Sequence, residues 1–243
     1  MAKKMLYLCL VLAGLLQAMT AQAGNKPDPL EPANRAILKF NDGLDKAIIS
    51  PVTRVYMAVT PDVVEKHVDL FFANLMGVTS VANSFAQFKF KKGLRHLGRF
   101  TVNSTLGVLG VFDVATRWGL NESAEDFGQT LGFWGVPAGP YLVLPLFGPS
   151  TLRDTGGLIV DTYSDPVTYY PTDSTANMAV RGVELLATRA GLFRYDALMT
   201  GDRYSTMREL YLQNREYQVK DGAVVDTFTD AFEDDSEFLD ESF

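Results

Sequence analysis

The longest periodic pattern in the chain, at residues 61–88, predicts a helix with two dissimilar faces. One face carries apolar side chains at helical spacing: Val64, Val68, Phe71, Leu75, Ala82 and Phe85. The other face is polar at both ends and small or apolar in the middle, and its second polar group is Ser80, Asn83, Ser84 and Gln87. Residues 70–82 are therefore apolar almost all round, over roughly 20 Å of helix. Such a segment either lies in one leaflet of a membrane or is buried in protein.

Further helical patterns flank this segment and predict an all-α fold. They occupy residues 28–49, 89–120, 121–132, 174–193 and 202–219. Pro51 permits a new helix start soon after the first of them, and Ser123 is the expected N-cap of the third. The last pattern indicates a surface helix on which Arg215 lies away from the apolar side.

The stretch GFWGVPAGPYLVLPLFGPSTLRD, residues 132–154, interrupts the helical patterns. Its glycines and prolines do not permit a regular helix, and residues 141–147 are predicted to form a short extended run or one arm of a hairpin. Ser150 or Thr151 is the expected N-cap of the helix that follows. Because exposed loops of soluble proteins are usually polar, this apolar loop is expected to be buried, bound to a partner or in lipid.

The N-terminus has the form of a secretory signal peptide. Lys3 and Lys4 precede an apolar core that is too short to cross a bilayer, and the small-residue pattern ending at Ala23 predicts cleavage before Gly24. The sole cysteine, Cys9, lies within the apolar core and would be removed with it. The mature chain is therefore expected to contain no disulfide and no thiolate metal site.

Acidic residues are concentrated at the C-terminus. Residues 226–243 hold eight acidic side chains and no basic one, whereas the rest of the mature chain is nearly neutral. The predicted organisation is a signal peptide at 1–23, a single helical domain at 24–220 and an acidic, disordered tail at 221–243. Because the sequence lacks an extended basic face, no nucleic-acid partner is predicted.

One short run of positive charge opens the pattern at residues 89–120. It consists of Lys89, Lys91, Lys92, Arg95 and Arg99. Two interpretations are open, an ordinary solvated helix face and a contact with anionic lipid head groups.

No set of residues has the spacing of a known catalytic or metal site. His67 and His96 stand apart without a ligand motif around either, and the sequence has no nucleophile elbow and no phosphate-binding loop. Four glycines are too irregularly spaced for a dinucleotide fingerprint and are expected to serve helix packing and turns: Gly128, Gly132, Gly135 and Gly139. We therefore predict that the protein is not an enzyme and holds no metal or cofactor.

Four segments together resemble the MlaA/VacJ family of outer-membrane phospholipid-transport lipoproteins. They are DPLEPANRAILKFND (28–42), RFTVNSTLGVLGVFDVA (99–115), EDFGQTLGFWGVPAGPY (125–141) and GPYLVLPLFGPSTLRD (139–154). The resemblance covers approximately residues 28–217. The sequence differs from many members in having Gly24 where they carry a lipidated cysteine. A body embedded in the leaflet would tolerate that difference, since a single acyl chain gives only marginal membrane binding.

The resemblance implies a ring-like, all-helical domain in the periplasmic leaflet of the outer membrane, with an amphipathic channel through its middle. Phospholipids mislocalised to the outer leaflet would pass through this channel to a periplasmic lipid carrier of the MlaC type, which maintains lipid asymmetry. An outer-membrane porin trimer is the other partner that the resemblance implies. Such a device shelters a charged lipid head group from hydrocarbon and needs no covalent chemistry.

Two sets of residues are candidates for this role. The expected wall and gate positions of the channel are Phe133, Trp134, Tyr141, Leu142 and Phe147. The family motif positions are Asn34, Phe40, Asn41, Arg153 and Asp154. We expect the first three motif positions to set the closed state of the channel, and the last two to hold the loop to the following helix.

Two other functions are compatible with the sequence. One is a soluble periplasmic lipid-binding shuttle, which a carbonate wash would release from membranes. The other is a porin-associated structural adaptor, against which co-purified phospholipid would argue.

Overall fold

Helices make up most of the computed structural model of this chain, which describes residues 28–121, 123–196 and 201–223. The predicted signal peptide with Cys9, the cleavage position at Ala23 and Gly24, and residues 224–243 of the predicted tail lie outside the described residues.

The elements follow one another in the order of the sequence patterns. They are α1 (Glu31–Leu44), a π-helical segment (Asp45–Ile49), α2 (Ser50–Val59), α3 (Asp62–Ala86), α4 (Phe90–Thr105), α5 (Val114–Arg117), α6 (Phe127–Phe133), β1 (Tyr141–Leu144), β2 (Gly148–Thr151), α7 (Leu152–Ser164), a 3-10 turn (Pro166–Thr168), α8 (Ser174–Asp196) and α9 (Arg203–Val219). The predicted all-α fold with a short hairpin is confirmed. In the three ranges that the structure describes, no helix has the length and apolar character needed to cross a membrane.

The chain passes from α1 to α2 without leaving the helical conformation. Pro51 lies in the first turn of α2, as predicted, and because the preceding residues are already helical, its missing N–H interrupts the backbone hydrogen bonds at this point. The preceding π-helical segment widens the turn, and the Ser50 N–H donates to the Asp45 carbonyl five residues earlier. The two patterns at residues 28–59 therefore form one continuous helical segment with a π-helical turn inside it.

A two-stranded antiparallel hairpin occupies the Gly/Pro-rich insert. Tyr141 pairs with Thr151 and Leu144 with Gly148. The Thr151 hydroxyl accepts a hydrogen bond from the Asp154 N–H and caps α7, which confirms that expected N-cap.

Ser123 is not the cap of α6, contrary to the sequence prediction. The helix begins at Phe127, and the side chain of Asp126 accepts the hydrogen bond of the Gln129 N–H. A carboxylate at this position satisfies a free amide and interacts favourably with the positive end of the helix dipole.

Glycines bring α6 and α7 into close contact. A Cβ atom added at Gly157 would lie 2.4 Å from the backbone nitrogen of Gly128. Gly135 and Gly139 take positive φ angles of 86° and 72° in the loop before the hairpin. These glycines serve packing and turns, as expected from their irregular spacing.

Polar side chains occupy much of the interior. Among the described residues, more polar and charged residues than hydrophobic ones are buried. The second polar group of α3 faces inward, since Ser80, Asn83, Ser84 and Gln87 are all buried. Met76, in the apolar middle of the same helix, is 39% exposed. The α3 helix is therefore not buried in protein on all sides.

Candidate functional site

Two asparagines of α1 hold the hairpin by its backbone. The Asn34 side chain donates from Nδ2 to the Tyr141 carbonyl at 2.9 Å and accepts at Oδ1 from the Val143 N–H at 2.9 Å. Asn41 repeats this arrangement on the Leu144 carbonyl and the Leu146 N–H, both at 2.9 Å. Each side-chain amide thus satisfies one carbonyl and one N–H of β1 or the following turn that β2 does not bind.

The inner side of the hairpin joins a small hydrophobic cluster. It contains Leu38, Tyr141, Val143 and Tyr204. The rings of Tyr141 and Tyr204 meet edge to face with centroids 5.9 Å apart. The Tyr204 hydroxyl donates to the Asp28 carboxylate, and burial together with this bond raises the pKa of Tyr204 to about 12. Residues far apart in sequence thus fix one end of the hairpin.

A buried chain of hydrogen bonds crosses from α3 to α7. Asn83 donates to the Asp161 carboxylate at 3.3 Å and accepts from the Thr130 hydroxyl at 2.8 Å. Gln87, the C-cap residue just after α3, donates to Thr130 at 3.1 Å and to the Glu125 carboxylate at 2.8 Å. These contacts place polar groups inside the molecule at the C-terminal half of α3.

The Asp161 carboxylate in this chain carries an unusual proton affinity. Burial raises its pKa to about 6, against the lowering effect of the hydrogen bonds from the Phe127 N–H and Asn83. The nearby Asp126 carboxylate raises this pKa further, and Arg215 lowers it.

Arg215 of α9 bridges two carboxylates from different elements. Its guanidinium bonds both oxygens of Asp126, at 2.6 and 2.9 Å, and both oxygens of Asp154, at 2.9 and 3.1 Å. Tyr211 adds a hydroxyl bond to Asp154 at 2.9 Å. Burial alone would raise the pKa of Asp154, but the bonds to Arg215 hold it at about 2. The cluster ties the N-terminal ends of α6 and α7 to the last helix.

An apolar cavity of about 500 Å³ lies against the N-terminal half of α3. Its wall includes Val64, Val68 and Phe72 of α3, Val111, and Val180 of α8. His67 also lines this cavity and packs edge to face on Phe112, with ring centroids 4.9 Å apart. His67 is therefore half-buried at the edge of an apolar cavity.

The model of the MlaA lipoprotein family matches residues 26–218 of the chain. This match covers well over half of the sequence. The chain belongs to the MlaA lipoprotein family.

Named MlaA relatives match along most of their length. The intermembrane phospholipid transport system lipoprotein MlaA of Escherichia coli is 33% identical over 220 residues, covering 87% of this chain and 86% of that protein. The protein of the same name from Haemophilus influenzae is 30% identical, with 86% and 85% covered. An uncharacterized protein of Rickettsia typhi is 32% identical over 197 residues, with 79% and 78% covered.

A solved structure also matches the fold. It is described as the structural basis for maintenance of bacterial outer membrane lipid asymmetry, and it aligns with a TM-score of 0.68 at 34% identity. The alignment covers 80% of this chain and all of that chain. The resemblance to the MlaA/VacJ family is therefore confirmed.

The MlaA motif positions meet at the hairpin and its following helix. Asn34 and Asn41 bind the hairpin backbone, and Phe40 lies exposed on α1 between them. Arg153 bonds Asp154 at 2.9 Å at the start of α7. The pair thus lies where the loop joins the helix, and the roles expected for all five positions stay predictions.

The expected channel wall positions of this chain fall in two places. Phe133 and Trp134 are exposed at the end of α6 and contact the junction of α3 and α4, where the Trp134 indole N–H donates to the Ala86 carbonyl at 3.2 Å. Tyr141 is buried, Leu142 is half-buried, and Phe147 is 72% exposed at the turn of the hairpin. The structure does not join the five into one cluster, and their role in a channel stays a prediction.

Sequence reasoning missed the part that Arg215 plays in this MlaA fold. The residue was expected on a surface helix, yet its side chain is only 12% exposed. Its carboxylate partners lie 61 and 89 positions away in the sequence, so no local sequence pattern indicates them. The spacing of Tyr211 and Arg215, one helical turn apart, was the available indication that both face the same way.

Proposed function

We propose that this chain takes part in intermembrane phospholipid transport that maintains the lipid asymmetry of the outer membrane. Within that process it passes mislocalised phospholipids from the outer leaflet along an amphipathic path to a periplasmic carrier of the MlaC type. It acts from the periplasmic leaflet, as part of a ring-like body beside a porin trimer. The names of its Escherichia coli and Haemophilus influenzae relatives support the general role.

One observation carries the proposal: polar side chains occupy much of the interior, whereas large apolar side chains are exposed on the surface. Buried amides, hydroxyls and carboxylates of α3, α6 and α7 are accompanied by large apolar side chains exposed on the outside. Exposed examples are Val55, Val59, Leu109, Phe112, Ile159 and Met178. Extensive exposed apolar surface is unfavourable in water and favourable in the hydrocarbon of a leaflet.

The α3 helix supports an amphipathic path because its two halves differ. Its N-terminal half borders the apolar cavity, whose volume lies in the range of ligand-binding pockets, about 300–1,000 Å³. Its C-terminal half carries the buried polar residues Asn83 and Gln87. From Val68 to Asn83 the helix rises about 22 Å. The N-terminal half of the helix thus suits acyl chains, and its C-terminal end suits a head group.

The energetic task is to lower the cost of dehydrating a charged head group. Transfer of an ion into hydrocarbon is unfavourable unless polar partners replace water. The carboxamides and hydroxyls beside α3 are groups of this kind, and inside the molecule they bond one another and the carboxylates of Asp161 and Glu125. No bond is made or broken in this role, so no catalytic group is required.

The hairpin turn offers the cleanest test. We expect Phe147→Asp to disturb lipid passage without unfolding the protein, because the side chain is exposed at the turn. In cells that carry this variant, an added phospholipase should hydrolyse more phospholipid at the cell surface than in wild-type cells. Gln213→Asp, at an exposed polar position of α9, is the matched control and should leave the surface phospholipid unchanged.

The interpretation depends on equal protein levels in the two variants. Wild-type surface phospholipid in a Phe147→Asp strain with normal protein levels would remove this residue from the path. Tyr141→Asp is a poorer probe, because a carboxylate in the buried cluster would destabilise the hairpin.

The membrane-embedded conduit is separated from a soluble shuttle by a carbonate wash. The conduit stays with the membrane, whereas a shuttle is released. Purified protein without bound phospholipid would instead favour the structural adaptor. Cross-linking to a porin trimer and to a periplasmic carrier tests the two protein partners.

A further inference from the structure

A basic groove of about 540 Å³ lies at the junction of α3 and α4, formed by residues 88–92 with Arg95 and Asp221. Only part of the basic run is therefore a solvated helix face, since Lys91 and Arg95 are exposed whereas two other cations are not. Lys89 and Lys92 are only 15% and 23% exposed in their side chains. Residues that are distant in sequence, at the start of α4 and just beyond α9, meet here.

The inner part of the groove is electrically balanced. Lys89 pairs with Asp221, and Lys92 contacts Asp221 at 2.8 Å and also the buried Glu125. Lys92 thereby connects the groove to the polar chain of Gln87 and Glu125 inside the molecule.

The outer part of the groove carries uncompensated positive charge. Lys91 and Arg95 are exposed at its edge, and neither has a carboxylate partner among the described residues. An anion that enters the groove would contact these two cations first, and Lys89 and Lys92 lie deeper in the groove. Two uncompensated cations beside a cavity attract anions to its opening.

Apolar rings border the same opening. Phe88 and Phe90 are exposed, with ring centroids 6.5 Å apart. Phe88 has a left-handed backbone with φ of 57°, a conformation that favours glycine at the end of a helix. An aromatic residue stands where glycine would be less strained, and its ring lies beside the cations. Exposed rings next to lysines suit the boundary between head groups and acyl chains of a membrane.

We propose that the basic groove binds the phosphodiester of an anionic phospholipid head group, with Lys91 and Arg95 as the selective contacts and Phe88 and Phe90 against its glycerol and upper acyl region. The proposal rests on the proposed function and adds to it a preference for anionic over zwitterionic lipids. The contact of Lys92 with Glu125 lets the bound head group lie next to the polar interior.

The test measures binding of short-chain lipids to the full-length mature protein in a neutral detergent. Dihexanoyl phosphatidylglycerol, dihexanoyl phosphatidylcholine and inorganic phosphate are titrated separately by calorimetry. We expect phosphatidylglycerol to bind more tightly than phosphatidylcholine, with a preference that falls as salt is raised. Lys91→Ala with Arg95→Ala should reduce the phosphatidylglycerol affinity by about fivefold for each cation removed, and by about 25-fold together.

Two further variants keep the test independent of folding. Lys39→Ala with Lys46→Ala removes two exposed lysines from the α1 region and should leave the lipid preference unchanged. Phe88→Gly relieves the left-handed backbone while removing the ring, so it should weaken binding of both short-chain lipids without loss of stability.

The outcomes distinguish a lipid head group from free phosphate as the bound anion. They also test the groove separately from the proposed role in lipid transport. Tight binding of inorganic phosphate, lost in the double variant, assigns the same anion chemistry to free phosphate and overturns a lipid site. Equal affinity for both lipids in the wild type overturns the groove proposal while leaving lipid transport intact. A double variant that loses binding to the periplasmic carrier but keeps its lipid preference assigns the groove to a protein partner and also overturns it. The proposed role in transport is tested separately, by measuring surface phospholipid in cells that carry Phe147→Asp.

Discussion

Asn34 and Asn41 lie seven residues apart on α1 and bind two consecutive segments of one hairpin in the same way. Each side chain donates to a carbonyl and accepts from the N–H two residues later, on Tyr141 and Val143 for the first and on Leu144 and Leu146 for the second. A seven-residue spacing returns to nearly the same helix face. The helix therefore acts as a partner strand for the hairpin, with two amides in place of a backbone.

Removal of the two amides should have unequal effects. Asn34 is buried, so Asn34→Ala leaves the Tyr141 carbonyl and the Val143 N–H without partners and should lower the free energy of unfolding by about 2–3 kcal/mol. Asn41 is half-buried, and water can replace it, so Asn41→Ala should cost about 1 kcal/mol. Denaturant unfolding in detergent measures both values.

Hydrogen exchange locates the same effect at single amides. We expect Asn34→Ala to speed exchange of the Val143 N–H, and Asn41→Ala to speed exchange of the Leu146 N–H, by roughly fivefold or more. Asn214→Ala, at an exposed position on α9, is the control. Unchanged exchange at both amides would show that the asparagines do not hold the hairpin.

Arg215 is expected to be the most sensitive charged residue of the fold. Arg215→Ala removes the cation that Asp126 and Asp154 share and leaves only Arg153 beside Asp154, and loss of one partner from a buried ionic cluster costs about 3–5 kcal/mol. Arg215→Lys should recover part of the loss, because an ammonium cannot bond both carboxylates in the forked geometry. Thermal unfolding of both variants measures the difference.

Arg203 on the same helix provides the matched comparison. Its exposed guanidinium lies 3.4 Å from Asp42, and Arg203→Ala should cost less than about 1 kcal/mol. Equal losses for the two arginines would contradict a buried structural role for Arg215.

The elements of this fold follow from local chemistry. The pattern at residues 61–88 identified α3 to within two residues at each end, because helical period and an initial proline are local features. Thr151 was found as a cap because a hydroxyl before a helical run satisfies free amides of the first turn. The hairpin followed from glycine and proline positions.

The orientation of the helix faces did not follow from the same pattern. Periodicity divides α3 into two faces but does not say which one meets the solvent, and here the buried group includes Asn83 and Gln87. Partners such as Asp161 for Asn83, or Arg215 for Asp154, lie 61 to 78 positions apart and leave no local trace. The candidate channel residues likewise rested on family likeness rather than on periodicity.

Asp161 should make stability depend on pH in a direction opposite to that of Asp154. Burial raises its pKa to about 6, whereas an aspartate in the unfolded chain titrates near 4. Between about pH 4 and 6 the folded protein then binds more protons than the unfolded chain, so the contribution of Asp161 to stability falls as pH rises. Asp154, with its pKa lowered to about 2, loses stabilisation only as pH falls below about 4.

Asp161→Asn isolates this contribution. The difference in unfolding free energy between wild type and variant should change by roughly 1–3 kcal/mol between pH 4 and 7, with the wild type relatively more stable at the acidic end. Effects of Asp154 are common to both proteins and cancel in the difference. A difference that stays constant across this range would mean that Asp161 has an ordinary pKa in the folded protein.

Two adjacent glycines of α7 should respond oppositely to the same substitution. A Cβ at Gly157 would lie 2.4 Å from the nitrogen and 2.7 Å from the Cα of Gly128, so Gly157→Ala forces α6 and α7 apart and should cost about 1–3 kcal/mol. A Cβ at Gly156 meets nothing within 4 Å, and Gly156→Ala should stabilise the helix by about 0.5–1 kcal/mol. Denaturant unfolding of the two variants gives both signs in one experiment. Equal stability of the two would show that the close approach of Gly128 and Gly157 is not needed for packing, since helix propensity changes identically at both positions.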